Sequence, residues 1–325
     1  MPTAFITGVT GQDGGYLADA LVADGWEVHG LIRSPDPALA DLRGRTPHVV
    51  LHDGDLSDTA AMARLIDSIE PDEIYNLGGI SSVAMSWEQP LLTARVNGVG
   101  AAGLLDAAWR LQERIGRPVH LLQASSAEIF GAAEQSPQDE LTPTRPVTPY
   151  GASKAFAHQL VGVYRRRGLA ASTCILYNHE SPRRPERFVT RKITMAAARI
   201  AAGKQQTVSL GALDVRRDWG WAPDYVDAML RMIRHDDADD FIIATGVSRS
   251  VRDFVRAAFT HAGVDDWQSR IEVDAALARP ADAADQVGDA SKARRVLGWA
   301  PTVTFDEMVA AMVDRDRADL QRQQR

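Results

Sequence analysis

The sequence predicts an α/β fold: a Rossmann-type, doubly wound parallel sheet joined to a smaller, interleaved substrate-binding lobe. Three observations carry this. Short apolar runs alternate with amphipathic stretches through the first half of the chain. A glycine-rich turn, Gly8-Val9-Thr10-Gly11-Gln12-Asp13-Gly14, stands between the first apolar run and the first amphipathic one. A Tyr150-x-x-x-Lys154 pair follows after the stretch that further βα units would occupy.

The elements follow in order. Residues 3–7 read as the first strand. The next stretch, 12–24, reads as a helix with Tyr16, Leu17, Ala20 and Leu21 on one face and Gly25 as its stop. Strands are expected over 26–32, 49–52, 73–77, 119–124 and 171–177, and helices over 59–69, 92–115 and 151–166. After Asn178 the rhythm breaks into polar, proline-bearing and arginine-rich segments, with a helix over 193–203 and short strands near 208–210 and 241–244. The expected division is a dinucleotide-binding domain over 1–177, completed by part of 213–246, and a substrate lobe over 178–212 and 247–325. The tail 314–325 reads as a charged, helical, solvated end.

Composition narrows the function. The chain has 325 residues, 45% hydrophobic and 24% charged, enough for one large core or two modest ones. No run approaches the roughly 20 apolar residues of a spanning helix. The start runs straight into Ala4-Phe5-Ile6, without the basic region of a signal peptide. The single cysteine, Cys174, excludes an internal disulfide and gives no metal-ligand set, so a reducing cytoplasm and no metal are expected. A net charge of −7 gives no footprint for nucleic acid. Against that acidic balance, the cations crowded into 183–192 (Arg183, Arg184, Arg191, Lys192) repel one another unless solvated or paired with an anion, and a diphosphate is a suitable one.

The turn at Gly8, Gly11 and Gly14, with Thr10, Gln12 and Asp13 inside it, brings backbone N–H groups and a helix N-terminus to a pyrophosphate. The end of the second strand reports on the nucleotide. An NAD site carries an acid about 20 positions past the loop. Here the sequence reads Gly30-Leu31-Ile32-Arg33-Ser34, with no acid, and Arg33 suits the 2′-phosphate of NADP; a plain surface charge is the other reading. Asp55-Leu56 either meets the adenine edge or, through Asp55, caps the next helix.

Tyr150 and Lys154 are four apart on the first turn of a helix, hence on one face. A phenol with a pKa near 10 is a poor base at neutral pH, and a nearby ammonium is expected to favour its phenolate. Ser126 and Glu128 stand at the carboxyl end of the fifth strand, where open parallel sheets bind ligands. Ser126 is placed to hydrogen-bond a sugar hydroxyl under oxidation, and Glu128 to act as a base. A turn-capping serine and a surface carboxylate are the plain alternatives.

Taken together, Thr7–Gly14, Pro71-Asp72-Glu73-Ile74-Tyr75-Asn76-Leu77-Gly78, Asn178-His179-Glu180-Ser181-Pro182-Arg183-Arg184, Phe188-Val189-Thr190-Arg191-Lys192-Ile193 and Arg217-Asp218-Trp219-Gly220 resemble the GDP-mannose 4,6-dehydratases, extended short-chain dehydrogenase/reductases. The likeness runs from residue 3 to about 255 and more loosely through Arg279-Pro280 to the end. The resemblance implies Ser126, Glu128, Tyr150 and Lys154 as the catalytic set. It implies Leu77, Gly78, Ser81, His179 and Arg184 as further cofactor contacts. Ser82, Glu128, Asn178, Val189, Lys192, Arg217 and Arg279 would face the substrate, GDP-mannose, with NADP recycled within each turnover. Epimerases and 4-keto reductases of the same fold need Ser126, Tyr150 and Lys154 but no base at Glu128. A protein that only senses NADP would have lost one of these groups.

The chain departs from the family at three points. The family has two adjacent arginines at the end of strand two and a longer loop that bridges subunits; here Ser34-Pro35 follows Arg33. That predicts a homo-oligomer smaller than the family's tetramer, a dimer. Pro185 and Arg187 stand where Gly and Thr are common, and Ser82 where His is common.

Overall fold

Alternation along β1 (Thr3–Thr7) sets the architecture. Ala4 and Ile6 point to one face and Phe5 to the other, and all three are fully buried. A strand buried on both faces belongs inside a parallel sheet covered by helices on each side. The computed structural model, which describes residues 1–277 and 285–322, shows that sheet.

The first half contains α1 (Gln12–Ala23), β2 (Glu27–Ile32), α2 (Leu39–Arg45), β3 (Val50–Asp53), α3 (Thr59–Ile69) and β4 (Glu73–Asn76). Next come α4 (Val83–Glu88), α5 (Pro90–Thr93), a π-helical stretch (Ala94–Val99), α6 (Gly100–Ile115), β5 (His120–Ala124), α7 (Pro149–Arg166) and β6 (Ala170–Leu176). After β6 follow β7 (Asn178–Glu180), α8 (Val189–Ala201), β8 (Val208–Leu210), β9 (Arg216–Trp221), α9 (Ala222–Ile233) and β10 (Asp240–Ile243). The remainder comprises β11 (Ser248–Ser250), α10 (Val251–His261), β12 (Ile271–Val273), β13 (Asp285–Gln286), α11 (Ser291–Leu297) and α12 (Phe305–Arg322).

The main sheet is parallel in the order β10-β6-β5-β4-β1-β2-β3, the predicted doubly wound arrangement. Its strand order reverses between β1 and β4, so a crevice opens at their carboxyl ends. One face packs Ala4, Ile6, Tyr75 and Leu122 against α1, α9 and α11. The other packs Phe5, Ile74 and Leu121 against α3, α6 and α7. Burying each such aliphatic or aromatic side chain contributes about 1.5–3 kcal/mol before entropy is subtracted.

A second core gathers α8, α10 and α12 around Ile193, Phe254, Phe259, Met308 and Met312. Trp219 of β9 meets Phe254 edge-on at 5.3 Å. β9 is the hinge piece: it pairs antiparallel with β11, and parallel with β13 and β7. Because β7 continues almost directly from β6, the chain leaving the main sheet is carried over the crevice.

Some local expectations change. The helix expected over 92–115 is α5, the π stretch and α6 in succession. The helix over 193–203 begins four residues earlier, at Val189. Helix α2 replaces part of an expected loop and is anchored by buried Leu42. The start of the tail is helical as expected: α12 runs to Arg322, its packed half lies before residue 314 (Met308, Val309, Met312, Val313), and within 314–322 Asp316 alone is buried.

Candidate active site

The glycine loop is closed by a hydrogen bond from Gly11 N to Gly8 O (2.9 Å). A Cβ at Gly14 would lie 2.2 Å from Gly8 O, so only glycine permits the turn to run this close to the start of α1. Beneath it runs a chain of buried amides. Thr7 Oγ1 donates to Asn76 Oδ1 (2.7 Å) and accepts from Gly78 N (2.8 Å). Asn76 donates to Gln123 Oε1 (2.7 Å), and Gln123 and Lys154 Nζ both donate to Ala124 O (2.8 and 2.9 Å). These bonds lock the strand ends at the crevice, and with them Leu77 and Gly78, relative to α7.

The start of α7 is fixed locally. Thr148 caps it by accepting from Gly151 N (2.9 Å), with Pro149 at the first helical position. A Cβ at Gly151 would lie 2.5 Å from Glu128 O, so this glycine lets the segment after β5 lie directly on the helix. Ser126, Glu128 and Tyr150 are thereby brought together. The Ser126 hydroxyl is hydrogen-bonded to the Tyr150 phenol and accepts from Glu128 N (3.3 Å).

Tyr150 and Lys154 are both buried, with Lys154 Nζ 5.9 Å from the phenol ring. Burial pushes the Tyr150 phenol up to about 12. The Ser126 hydrogen bond and Arg184 pull it back, while Glu128 and Asp13 push it further up. Burial also brings Lys154 down to about 8 against the pull of Asp13. The expectation that Lys154 lowers the phenol is therefore not met: its ammonium is directed to Ala124 O, and desolvation of Tyr150 dominates.

The π stretch supplies a residue that sequence reasoning missed. Asn97 is buried there, bonding Ile80 N and O (2.9 and 3.0 Å) and Ser153 Oγ (3.1 Å). It thus ties the loop after β4 to α7. Its signal was an amide between Val96 and Gly98 in a helical run, and the π geometry that turns it inward leaves no mark in sequence.

β7 carries His179 against the glycine loop. Its Nε2 lies 2.9 Å from Asp13 Oδ2, its Nδ1 lies 2.7 Å from Tyr177 O, and its ring stacks on Tyr225 at 4.5 Å. Both ring nitrogens face acceptors. Burial works against the imidazolium, but Asp13 more than offsets it and raises the His179 pKa. Burial likewise opposes the Asp13 carboxylate, and His179, Gln12 and Arg184 together hold its pKa below the usual value. Gln12 donates to His179 O (3.1 Å) and accepts from Ser181 Oγ (2.8 Å). Gln12, Asp13 and His179, three expected cofactor contacts, thus hold one another.

The basic stretch resolves differently from its sequence reading. Arg183 pairs with Asp19 (2.7 Å) and lies on the face of Tyr16. Arg184 pairs with the buried Glu180 (3.1 Å), which also accepts from Thr190 Oγ1 (2.7 Å). Arg191 pairs with Asp316 (2.7 Å). The anions that gather these arginines belong to the protein, so they need no diphosphate. Lys192 is exposed and meets no carboxylate among the described residues; Val189, one turn before it, shares that exposed face of α8.

Arg217 is buried on β9 and donates to Arg216 O (2.7 Å). Its neighbour Asp218 accepts from Thr245 N (2.9 Å), Thr245 Oγ1 (2.6 Å) and Gly246 N (2.8 Å), which fixes the strand. Asn178 opens β7 opposite Trp219. Ser82 caps α4 (3.2 Å from Met85 N), and Ser81 beside it is exposed. Arg279 lies outside the described residues.

At the adenosine end, Arg33 is exposed just past β2. Asp55 does not cap α3: it accepts from Ser57 N and Oγ (2.8 and 2.7 Å), and Asp58 is the cap (2.9 Å from Ala61 N). Leu56 is buried. Asp36 reaches back so that its Oδ2 accepts from Thr10 Oγ1 at 2.6 Å.

The sequence profile described as "GDP-mannose 4,6 dehydratase" matches residues 5–312. GDP-mannose 4,6 dehydratase 1 of Arabidopsis thaliana is 45% identical over 323 residues, covering 96% of this chain and 89% of the relative. The chain belongs to the GDP-mannose 4,6-dehydratase family. A bacterial member, the GDP-mannose 4,6-dehydratase of Yersinia enterocolitica, is 41% identical over 354 residues, covering 97% of this chain and 94% of its own. Among solved structures, the Thermus thermophilus UDP-glucose 4-epimerase in complex with NAD superposes with a TM-score of 0.83 at 26% identity, covering 97% of this chain and 99% of that one. The dehydratase family thus shares a nicotinamide-dinucleotide fold with epimerases, and the cradle at Gly8, Gly11 and Gly14 fits such a ligand. No helix among the described residues is long and apolar enough to cross a membrane, and none of their acidic, His or Cys side chains form a cluster of three or more able to hold a metal.

Proposed function

We propose that the chain converts GDP-mannose to GDP-4-dehydro-6-deoxy-mannose and water, with NADP as an internally recycled redox partner, in the cytoplasm. The observation that carries this reading is the convergence of Ser126, Glu128 and Tyr150 on one spot at the end of β5, beside the glycine cradle. Epimerases of this fold need the serine and tyrosine; a Glu128 carboxylate whose charge acts on the Tyr150 phenol favours elimination.

When bound, the dinucleotide would supply a reversible two-electron acceptor for the oxidation at C4 and the later reduction at C6. The protein's residues do the proton work. Tyr150, hydrogen-bonded to Ser126, takes the C4 hydroxyl proton. A cationic ring bound next to Tyr150 would offset the burial that holds its pKa up. Once C4 is a ketone the C5 hydrogen is acidic; Glu128 removes it and passes the proton to the departing C6 hydroxyl, which leaves as water, and C5 takes a new, solvent-exchangeable proton when C6 is reduced. Lys154, anchored on Ala124 O, orients the nicotinamide ribose. Leu77, Gly78 and Ser81 line the cofactor crevice, and Asp55-Leu56 border the adenine. Asn178, Val189, Lys192, Arg217 and Arg279 receive the GDP part, with Lys192 as the exposed cation for the diphosphate. Arg33 supports the choice of NADP through its 2′-phosphate.

Exposed Val99, Phe156 and Val163 on the neighbouring π/α6 and α7 helices support pairing with a second copy. A dimer in light scattering is expected; a stable tetramer would exclude it. The test of function is mass spectrometry of the product formed from GDP-mannose in deuterated water. A 4-keto-6-deoxy sugar carrying deuterium at C5 is expected. A 4-epimer, or no solvent label at C5, would refute the role of Glu128.

A further inference from the structure

Five cations stand between residues 183 and 192, and three are neutralised from within the chain: Arg183 by Asp19, Arg184 by Glu180 and Arg191 by Asp316. Arg187 and Lys192 are exposed and pair with no carboxylate among the described residues. Arg187 is held in place all the same. Its guanidinium stands 4.9 Å from the centre of the Phe188 ring, and that of Arg184 stands 3.7 Å from the same ring. Phe188 thus joins Arg187 to Arg184, whose charge acts on Asp13 of the glycine loop and on the Tyr150 phenol. Phe188 is also the cap residue of α8, so Arg187 is the residue before the cap and Lys192 the fourth of the helix. Those two positions share one edge at a helix start, where a pair of apolar side chains commonly fixes the entry of the chain. Here both are cations. Glu186 does not neutralise them: its charge acts on Asp316 of α12, while burial and then Arg184 hold the Arg187 pKa below its usual value. Like charges so placed repel, and an anion bound at this edge relieves them.

We propose that Arg187 is a specificity-determining residue of this chain: with Lys192 it grips the diphosphate of the nucleotide sugar at the start of α8, a contact that the threonine common at this position does not make. The inference rests on the reading of this crevice as a nucleotide-sugar site. A guanidinium offers a planar fork of N–H donors that matches two phosphate oxygens at once, which the ammonium of Lys192 does not. Arg187 takes no part in the proton transfers. It binds the unreacting end of the substrate, so it acts alike in the ground state and the transition state.

The test is calorimetry of GDP and of guanosine with the whole protein, together with steady-state kinetics on GDP-mannose. Arg187→Thr should weaken GDP by about 10–100-fold, the size of one charge-assisted contact, and leave guanosine unchanged. The KM for GDP-mannose should rise by the same factor with kcat within about twofold of wild type, the pattern of a lost uniform binding contact. Arg187→Gln, which keeps much of the stem over Phe188, should lose as much GDP affinity as Arg187→Thr, which guards against a folding defect peculiar to one substitution. Arg187→Lys should recover part of the loss, since it keeps the charge without the fork. If both neutral variants bind GDP as wild type does while Lys192→Ala weakens it, the role of Arg187 is wrong and the site reading stands. If GDP and guanosine weaken equally, Arg187 shapes the loop instead of holding the diphosphate, and the proposal is overturned. If wild type binds neither GDP nor GDP-mannose, the site reading fails together with the proposal.

Discussion

Two regions around the crevice hold buried ionisable groups, and they treat them in opposite ways. In the stretch from β7 into α8, acid meets base: Asp13 with His179, Asp19 with Arg183, Glu180 with Arg184, Asp316 with Arg191. At the end of β5 and the start of α7, Tyr150 and Lys154 are buried against a hydroxyl and a carbonyl, and both are pushed towards their neutral forms. The first region spends its charges on its own structure. The second keeps groups whose protonation shifts with what lies beside them, which is the usual mark of a reactive site. A shared basic sequence therefore does not mean a shared task; the location of the nearest carboxylate decides.

The largest effect that would sharpen this contrast is on turnover. Glu128→Gln should slow elimination by about 10²–10⁴-fold, the range of a lost general acid–base group, while reduced cofactor accumulates and is visible by its absorbance. Tyr150→Phe should show a loss of similar size with no reduced cofactor, because the first proton transfer is missing. Melting temperatures of both should stay near wild type. If either variant unfolds, the distinction between the regions collapses.

Breaking a pair in the other region should act on stability. Arg191→Ala leaves Asp316 buried without its partner and should cost about 3–5 kcal/mol in chemical denaturation, the range for a disrupted buried ion pair. A loss below about 1 kcal/mol, typical of surface pairs, would show that Arg191 does not hold the lobe together.

Lys192 offers a finer cut within one sequence stretch. Lys192→Ala should raise the KM for GDP-mannose by roughly 10–100-fold, the equivalent of one charge-assisted contact of about 1.5–3 kcal/mol, with no change in melting. Arg183→Ala should do the reverse, lowering the melting temperature with little change in KM. Equal effects from the two would show that both reach substrate.

The smallest effect is in pH. Burial pushes the Asp316 carboxyl up to about 6 despite Arg191. A raised folded pKa means the folded state binds more protons than the unfolded one between about 4 and 6, so this group's contribution to stability falls as pH rises through that window. Asp316→Asn should remove that slope, worth about 1–3 kcal/mol for a shift of this size. An unchanged pH profile would show that Asp316 is ionised as usual.

What the sequence determined by itself is what is written in nearby residues. Although α7 starts at Pro149, two residues before the expected 151, the apolar run of β1, the glycine turn and the Tyr150–Lys154 spacing are local, and each was legible. So was the family, whose motifs are short continuous stretches. α9 was legible too, since Tyr225, Ala228, Met229 and Met232 recur at helical spacing, although it was not among the expected helices.

Only the tertiary structure decided which charge meets which. Asp316 lies 125 positions from Arg191. Arg183 and Asp19 are 164 apart, and His179 and Asp13 are 166 apart. Asp36 approaches Thr10 only because the chain turns back after β2. Burial made the same kind of difference to Tyr150: the spacing to Lys154 was correct, but the desolvation of the phenol depends on everything packed around it. Local geometry follows from local residues because backbone hydrogen bonds and side-chain periodicity act over a few positions. Electrostatics acts through space, and its strength is set by a burial that no single segment contains.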